Sequence, residues 1–519
     1  MTSIDRERAR SGTLSIALGV AVLGVALLVS PWKFPEGSDG GAMFATAESL
    51  LTDGTLAIDP RFTTDDGYSS SAQIGRGGRA YSKYGIGMPL LEVPFLAAGR
   101  FVALVLGVAE PPAIVAVLSL VNPMVTALTA VLLYLLCQHF VETRVACATA
   151  AAYAFGTFAS VYATSDASDP FQALLVTTGA FLLVRYRTGA HRVTLAASGA
   201  AVAAAILVKP TNIVALPAFL LYLPILAWVR KKSVLRIESA VEAALLVAPV
   251  VASVMVVGWL NWLRFDSVFI SGYPGRMFGM PLGVGLYGLL FSVNKGLLFH
   301  APLVLLAPVG LLIMRRDERA DAALVTVTFL AYIALYGKYD YWGGGWVWGP
   351  RYLLPMLPLL FVPVAKVAHR FALARRCAVV LAVVGLAFNS LGVIVNVEAY
   401  RATILNLWLP ERTGLVEVGS SHNSRGVVPM AVPPEDVLLD FAPVLGHWWM
   451  LKVALAGCEC DERTATCRCR GGRFDDRPAF LDAPWRRRHP EIDPRVPYGT
   501  RIIRPWIGHW LHRHFVLGS

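Results

Sequence analysis

Charged side chains are scarce in this chain, so those that interrupt its apolar runs stand out. Asp39 lies in "EGSDGG", shortly after the first long apolar run; Asp65 and Asp66 follow in "TTDDGY", and Lys83 in "YSKYG". Further on come Asp166 and Asp169 in "YATSDASDPF", Lys209 in "LVKPTN", Lys295 and His300 in "SVNKGLLFHAP", and Arg351 in "KYDYWGGGWVWGPRY". A carboxylate can take a proton from a hydroxyl, and ammonium or guanidinium groups can hold a phosphate. Each residue also has a plainer reading. Asp39, Asp166 and Asp169 suit helix caps. Lys83, at lipid-phosphate height, can pair with a phosphate or snorkel, and Lys209 can anchor a helix end. Trp346, Trp348 and Arg351 can form an interfacial belt with one snorkelling arginine. Singly none is specific; together they are more than helix anchoring requires.

The elements that must position them are read from composition. Of 519 residues, 56% are hydrophobic and 16% charged, and the mean hydropathy is +0.57. A soluble chain of this length needs far more polar surface, so the expected class is an all-α polytopic membrane protein. A helix of about 20 apolar residues crosses a hydrocarbon core of roughly 30 Å. The apolar runs predict about eleven such helices, near 14–30, 112–136, 146–164, 171–185, 194–208, 213–229, 240–262, 297–314, 322–337, 352–365 and 377–396. The first follows the basic "RERAR", lacks a small-residue cleavage site and runs into "PWKFPEG", which predicts a retained helix.

A formal net charge of +11 could suggest nucleic acid, but the positions of the charges argue otherwise. The N-terminus, "CQHFVETR", "RYRTGAHR", "VRKKSVLRIE", "RRDERAD" and "KVAHRFALARR" carry 18 of the 46 lysines and arginines; the much longer opposite loops before residue 399 carry 12. This bias predicts a multi-pass protein of the cell membrane, N-terminus cytoplasmic and C-terminus outside, with membrane lipids and no nucleic acid as partners. The segment 87–107, "GMPLLEVPFLAAGRFVALVLG", is long enough to span. Spanning would invert every later loop and place Glu92 and Arg100 at depths costing roughly 2.5–3.5 kcal/mol for such charges. An interfacial helix within a first outer loop, 31–111, is expected instead. The candidate residues then share the outer face. The inner turns are short, and there is no P-loop or Gly-rich dinucleotide turn, which excludes cytoplasmic nucleotide-sugar chemistry and ATP-driven pumping.

The order of motifs over residues 10–400 carries a family resemblance. An acidic residue after the first helix is followed by "AESLLTDGTLAID" and "RAYSKYGIGMPLLEVPFLAAG"; much later come "GLYGLLFSVNKGLLFHAP" and "YWGGGWVWGPRYLLPMLPLL". Together they resemble bacterial members of the GT-C superfamily of membrane glycosyltransferases, nearest to proteins similar to glycosyltransferase family 39, which includes the protein O-mannosyltransferases and, more distantly, the aminoarabinose transferases. The resemblance implies an active site at the outer face and inverting transfer. The donor would be a polyprenyl-phosphate-linked sugar, and the acceptor a lipid, a glycan or a protein. It implies that Asp39 is the general base. Many relatives place a second acid directly after this aspartate, where this chain has Gly40, so Asp65 or Asp66 remain alternatives. The chemistry asks for a base on the attacking hydroxyl and cations on the leaving phosphate. Arg351, with its bidentate fork, and Lys83 are the first candidates for the phosphate. Lys209, Lys295, His300, Asp166 and Asp169 are further candidates, and Trp346 and Trp348 can stack on a sugar face. No tight ligand set demands a metal ion as cofactor; the paired acids at 65–66 would permit one divalent metal ion.

On this reading residues 1–398 form the transmembrane domain and 399–519 an extracytoplasmic region rich in Pro, Arg, Asp and Trp. There "CECDERTATCRC" places Cys458, Cys460, Cys467 and Cys469 as C-x-C, six residues, C-x-C. In an oxidising compartment two disulfides are expected, with three possible pairings. A zinc site would be favoured if 439–455 spanned and left the tail cytoplasmic; Asp440, His447 and Lys452 make that stretch a better interfacial helix. The terminal "RIIRPWIGHWLHRHF" is expected to rest on lipid. Cys137, Cys147 and Cys377 read as packing residues. The alternative function is a transporter or lipid flippase without chemistry, which calls for midplane charges and internal repeats; neither is evident. A receptor or scaffold acting through the tail would leave the outer acids without a role.

Overall fold

The computed structural model describes residues 3–31, 38–62, 71–230, 237–273, 277–345, 347–395, 447–448, 451, 459–461 and 466–468. The chain enters through α1 (Ser3–Val29), makes an excursion through α2 (Ser38–Asp53), α3 (Gly87–Leu106) and α4 (Glu110–Leu118), and continues into α5 (Val121–Cys137). There follow α6 (Thr143–Gly156), α7 (Ala159–Tyr162), α8 (Asp169–Arg187), α9 (Val193–Val208), α10 (Leu216–Val229) and α11 (Ile237–Phe265). The last group is α12 (Leu282–Phe291), α13 (Leu297–His300), α14 (Ala307–Asp317), α15 (Arg319–Lys338), α16 (Leu357–Arg370) and α17 (Ala372–Ile394). Eight candidate spans among the described residues are long and apolar enough to cross a membrane. The molecule is a polytopic membrane protein, almost entirely helical among the described residues.

Length and composition do not return the expected set of spans, however. They omit the segments at α6, α8, α9 and α14 and include Gly87–Leu106. Connectivity decides that last case. Ser11, early in α1, hydrogen-bonds Tyr134 and Gln138 at the end of α5. Asn122, at the start of α5, donates to the carbonyls of Ser165 and Ala167 before α8. α1 and α5 are therefore antiparallel, and the chain re-enters α5 at the end where α1 left off. Between α3 and α5 lies only α4, nine residues long, which rises about 14 Å. That is too short to return from a crossing, so α3 stays at the end it started from. Its arginine is met there: Arg100 reaches Glu48 at 3.5 Å and Thr52 at 3.2 Å, both on α2. Phe44, Leu96 and Ile114 pack α2, α3 and α4 into one layer.

Lipid gives no hydrophobic drive for helix to meet helix, so close approach and packing must. A Cβ on Gly199 of α9 would fall 2.1 Å from the Leu246 carbonyl of α11, and one on Gly310 of α14 would fall 2.0 Å from the Pro363 carbonyl of α16. A larger residue at either point would part the helices. The segment Arg351–Arg370 is 89% buried, whereas α1 and α17 are only 17% and 22% buried over their apolar windows. α16 is the axis of the bundle, and α1 and α17 are its lipid-facing wall.

Three short strands sit on the α2–α3 excursion: β1 (Ala57–Ile58), β2 (Ala72–Ile74) and β3 (Ala80–Ser82), with β3 central and antiparallel to both. Tyr81 faces Ala57 and Gln73. This small sheet delivers Lys83 and Tyr84, directly after β3, to the mouth of the bundle. In the C-terminal region β4 (Glu459–Asp461) and β5 (Thr466–Arg468) pair antiparallel with Cys460 opposite Cys467. Cys458, Cys469 and the terminal segment 501–515 lie outside the described residues, as does most of 439–455. Cys137, Cys147 and Cys377 are free thiols.

Candidate active site

The site is assembled from helix ends. Asp39 stands in the first turn of α2, where a carboxylate is favoured by the helix dipole. Its side chain reaches well beyond its own helix. Oδ1 accepts a short hydrogen bond from the Tyr84 hydroxyl, and Oδ2 accepts one from Arg351 Nη1 at 2.9 Å. Asp39 thus does more than suit the start of its helix: it makes a pair across 312 positions of sequence. Burial by itself would raise its pKa; Arg351, the Tyr84 hydrogen bond and Lys83 outweigh that and hold it at about 2.

Arg351 is fixed from its own loop. Glycines 344, 345 and 349 have φ of +76°, +82° and +66°, a region that strains any residue with a Cβ. They let the chain turn tightly beside Arg351, and a Cβ on Gly344 would lie 3.0 Å from Arg351 Cγ. The Arg351 Nε is buried without a partner among the described residues, as is Asp169 Oδ1 at the start of α8. Lys83 Nζ lies 4.9 Å over the Tyr273 ring and 5.3 Å over Tyr84. Lys209, the first residue past α9, lies 4.0 Å over Tyr352 and 5.4 Å over Tyr336. Burial lowers the pKa of both lysines to about 8, Arg351 adding to the lowering while Asp39 opposes it for Lys83 and Asp169 and Asp39 oppose it for Lys209. Two carboxylates and three cations therefore feel one another in one place. Asp166 is at its edge: a Cβ on Gly40 would fall 2.2 Å from Asp166 Oδ2. A glycine following Asp39 is what lets that carboxylate pack there.

Three expected site residues are placed elsewhere. Lys295 is 2% exposed, and its Nζ donates to the carbonyls of Gly345 at 2.8 Å and Val347 at 2.5 Å; it braces the glycine loop rather than a ligand. His300 donates from Nδ1 to Gly296 O at 2.9 Å and is boxed in by Phe158, Trp348 and Phe388. Trp348 is buried, donating from Nε1 to Asn389 Oδ1 at 3.0 Å, so its face is closed to a sugar. A lysine that finds two carbonyls, or a ring that finds a buried slot, gains more there than at an open mouth. Asp65, Asp66 and Trp346 lie outside the described residues. Among those described, no group of three or more His, Cys, Asp or Glu could hold a metal ion.

Sequence reading missed Tyr84, Tyr273 and Arg264. Tyr84 sits inside the quoted "YSKYG", but nothing local marks its hydroxyl for Asp39. Arg264, near the end of α11, is buried and donates from Nη1 to Ser82 O at 2.8 Å and Tyr84 O at 3.0 Å. Its Nη2 donates to Asn261 Oδ1 at 2.9 Å. It grips the backbone on either side of Lys83.

Residues 100–257 match the family model of dolichyl-phosphate-mannose-protein mannosyltransferase. That match takes in Asp166, Asp169 and Lys209 but not Asp39, Lys83 or Arg351. Among solved structures, the chain is similar to ArnT from Cupriavidus metallidurans bound to undecaprenyl phosphate, at 16% identity and TM-score 0.46, over 77% of this chain and 66% of that one. The apo state of that protein gives 15% identity and TM-score 0.47, over 86% and 70%. The archaeal oligosaccharyltransferase AglB from Archaeoglobus fulgidus, in complex with an inhibitory peptide and a dolichol-phosphate, gives 11% identity and TM-score 0.42, over 81% and 61%. The chain thus spans just under two thirds of the bound ArnT and of AglB. No curated protein sequence matches.

Proposed function

We propose that the protein is a membrane glycosyltransferase that moves a hexosyl or pentosyl group from a polyprenyl-phosphate-linked donor to a hydroxyl of a lipid, glycan or protein acceptor. The reaction takes place at the extracytoplasmic face, with Asp39 as general base. One observation carries this reading: a carboxylate held by a phenol and a guanidinium stands with Lys83, Lys209 and a second carboxylate, Asp169, at one end of a bundle of membrane helices. A surplus of cations in a partly desolvated mouth favours a phosphate, and most of all one gaining charge as it leaves.

The acceptor oxygen bonds to the anomeric carbon as the bond from that carbon to the phosphate oxygen breaks. The electron pair leaves with the polyprenyl phosphate, and the hydroxyl proton passes to Asp39. An aspartate paired with Arg351 is a weak base, and the donor itself relieves this. Its phosphate competes for the Arg351 fork, and as Arg351 turns to it Asp39 loses its strongest counter-charge and becomes more basic. The base is strengthened when the donor is in place and restrained when it is absent.

The test is release of free polyprenyl phosphate by purified protein offered a panel of polyprenyl-phosphate sugars and crude membrane acceptors, beside Asp39→Asn. Release by the parent and loss in the variant support the reading. Equal release by both moves the base to another acid. No release with any donor, from folded protein, turns the interpretation to a transporter or flippase.

A further inference from the structure

The tail beyond residue 398 has no role in this scheme, yet one of its residues touches the loop that carries Arg351. Trp348 is the pin of that loop. Its Nε1 donates to Asn389 Oδ1, its carbonyl accepts from the Tyr162 hydroxyl at 3.0 Å, and Asn389 donates in turn to His300 O at 3.0 Å. The slot is cut into α17: a Cβ on Gly392 would lie 2.5 Å from Trp348 Cδ2. Phe388 stands 5.7 Å from the indole, centroid to centroid. His447 also lies against it, its ring 4.9 Å from the indole at 32°. His447 is fully buried, and its Nδ1 donates at 3.2 Å to Leu391 O, in the last turn of α17.

We propose that His447 is a positioning residue that ties the C-terminal region to the active site, seating Trp348 in its slot and so setting Arg351. The path is short. Trp348 adjoins Gly349, whose left-handed turn packs on His300 and whose carbonyl accepts from Arg351 N at 3.1 Å. Lys295 fixes the same loop at Gly345 and Val347, so the loop is braced both from the helical bundle, by Lys295, Asn389 and Tyr162, and from the tail. Neither brace touches Asp39. Loosening the tail brace therefore changes how Arg351 is held and leaves the base itself intact. An event in the tail, such as acceptor binding or redox change at its cysteines, would reach the donor site through this contact.

The kinetic part of the test rests on the proposed function, and the spectroscopic part does not. Full-length protein labelled with 5-fluorotryptophan reports Trp348 as one fluorine resonance, assigned by its loss in Trp348→Phe. His447→Ala is expected to shift that resonance and to raise the donor KM roughly three- to tenfold, with kcat changed less than about twofold. His447→Phe, which keeps a ring on the indole, is expected to restore most of the KM. A Trp348 resonance that stays in place in His447→Ala overturns the proposal. So does a fall in active fraction with KM unchanged, which is the mark of a merely structural residue. Should the parent transfer no sugar from any donor, the functional reading falls and the resonance alone decides whether the tail seats Trp348.

Discussion

The two ends of the bundle carry the same three side-chain types in the same arrangement. At the mouth, Asp39 accepts from Arg351 and from Tyr84. At the opposite end, Asp321 meets Arg187 at 3.0 Å and accepts from the Tyr222 hydroxyl at 2.9 Å. The lower cluster is balanced. Arg187 answers Asp321, Lys366 answers Glu318, and the Asp321 side chain is 3% exposed against 28% for Asp39. The upper one is not: among the groups that feel one another, Lys83, Lys209 and Arg351 face Asp39 and Asp169, with Asp166 at the edge. Buried charges that neutralise each other hold helices together; a surplus of one sign that stays half open awaits a ligand. The same triad is thus a fastener at one end and a site at the other, and its neighbours make the difference.

The sharpest way to break this contrast is to neutralise both carboxylates in turn. Asp39→Asn should lower transfer by about 100-fold or more, as loss of a general base does, with little loss of thermal stability. Asp321→Asn should do the reverse. It leaves Arg187 uncompensated and costs about 1–3 kcal/mol of stability, below the value for a fully buried pair because Arg187 stays partly exposed. Kinetics and thermal melts of the two variants side by side check both; matching phenotypes would end the distinction.

Arg351→Lys keeps the charge and loses the fork, and should raise the donor KM about 10- to 100-fold. The same change at Arg187 should leave KM alone. Next in size is Arg264→Gln, which frees the carbonyls on either side of Lys83 and should raise donor KM about tenfold while sparing kcat. Smallest is the pH effect. On the proposed function Lys83 and Lys209 would hold a phosphate when protonated, and burial sets both near 8. The donor kcat/KM should therefore be full below pH 8 and fall as pH rises through about 8. The fall in kcat should come later, since a bound phosphate stabilises the ammonium form. A flat profile from pH 7 to 9 would remove both lysines from the donor site.

Much of this molecule is legible without coordinates because lipid is an unforgiving solvent. Each crossing must be an apolar helix, since backbone groups find no other partner there. The charge bias then orders the ends, and the surviving polar residues are few enough to name. Asp39, Lys83, Asp169, Lys209 and Arg351 were all found that way, and the structure brings them together. The excursion of α3 was legible too, through the cost of Glu92 and Arg100, although length and hydropathy alone would pass it as a span.

What the sequence could not decide is which of its polar residues are already taken. Lys83 and Lys295 look alike in one dimension, each a lone lysine within two residues of a glycine. Only folding shows that Lys295 is held by two carbonyls some fifty positions away, while Lys83 is left over aromatic faces beside Asp39. His300 and Trp348 were drawn into a buried slot by Asn389 and Gly392, and Arg264 was recruited from α11 to hold a turn formed 180 residues earlier. Spacing along a chain determines periodicity and burial. The choice of hydrogen-bond partner belongs to whichever group tertiary packing brings within about 3 Å, and at this site that choice separates a brace from a ligand.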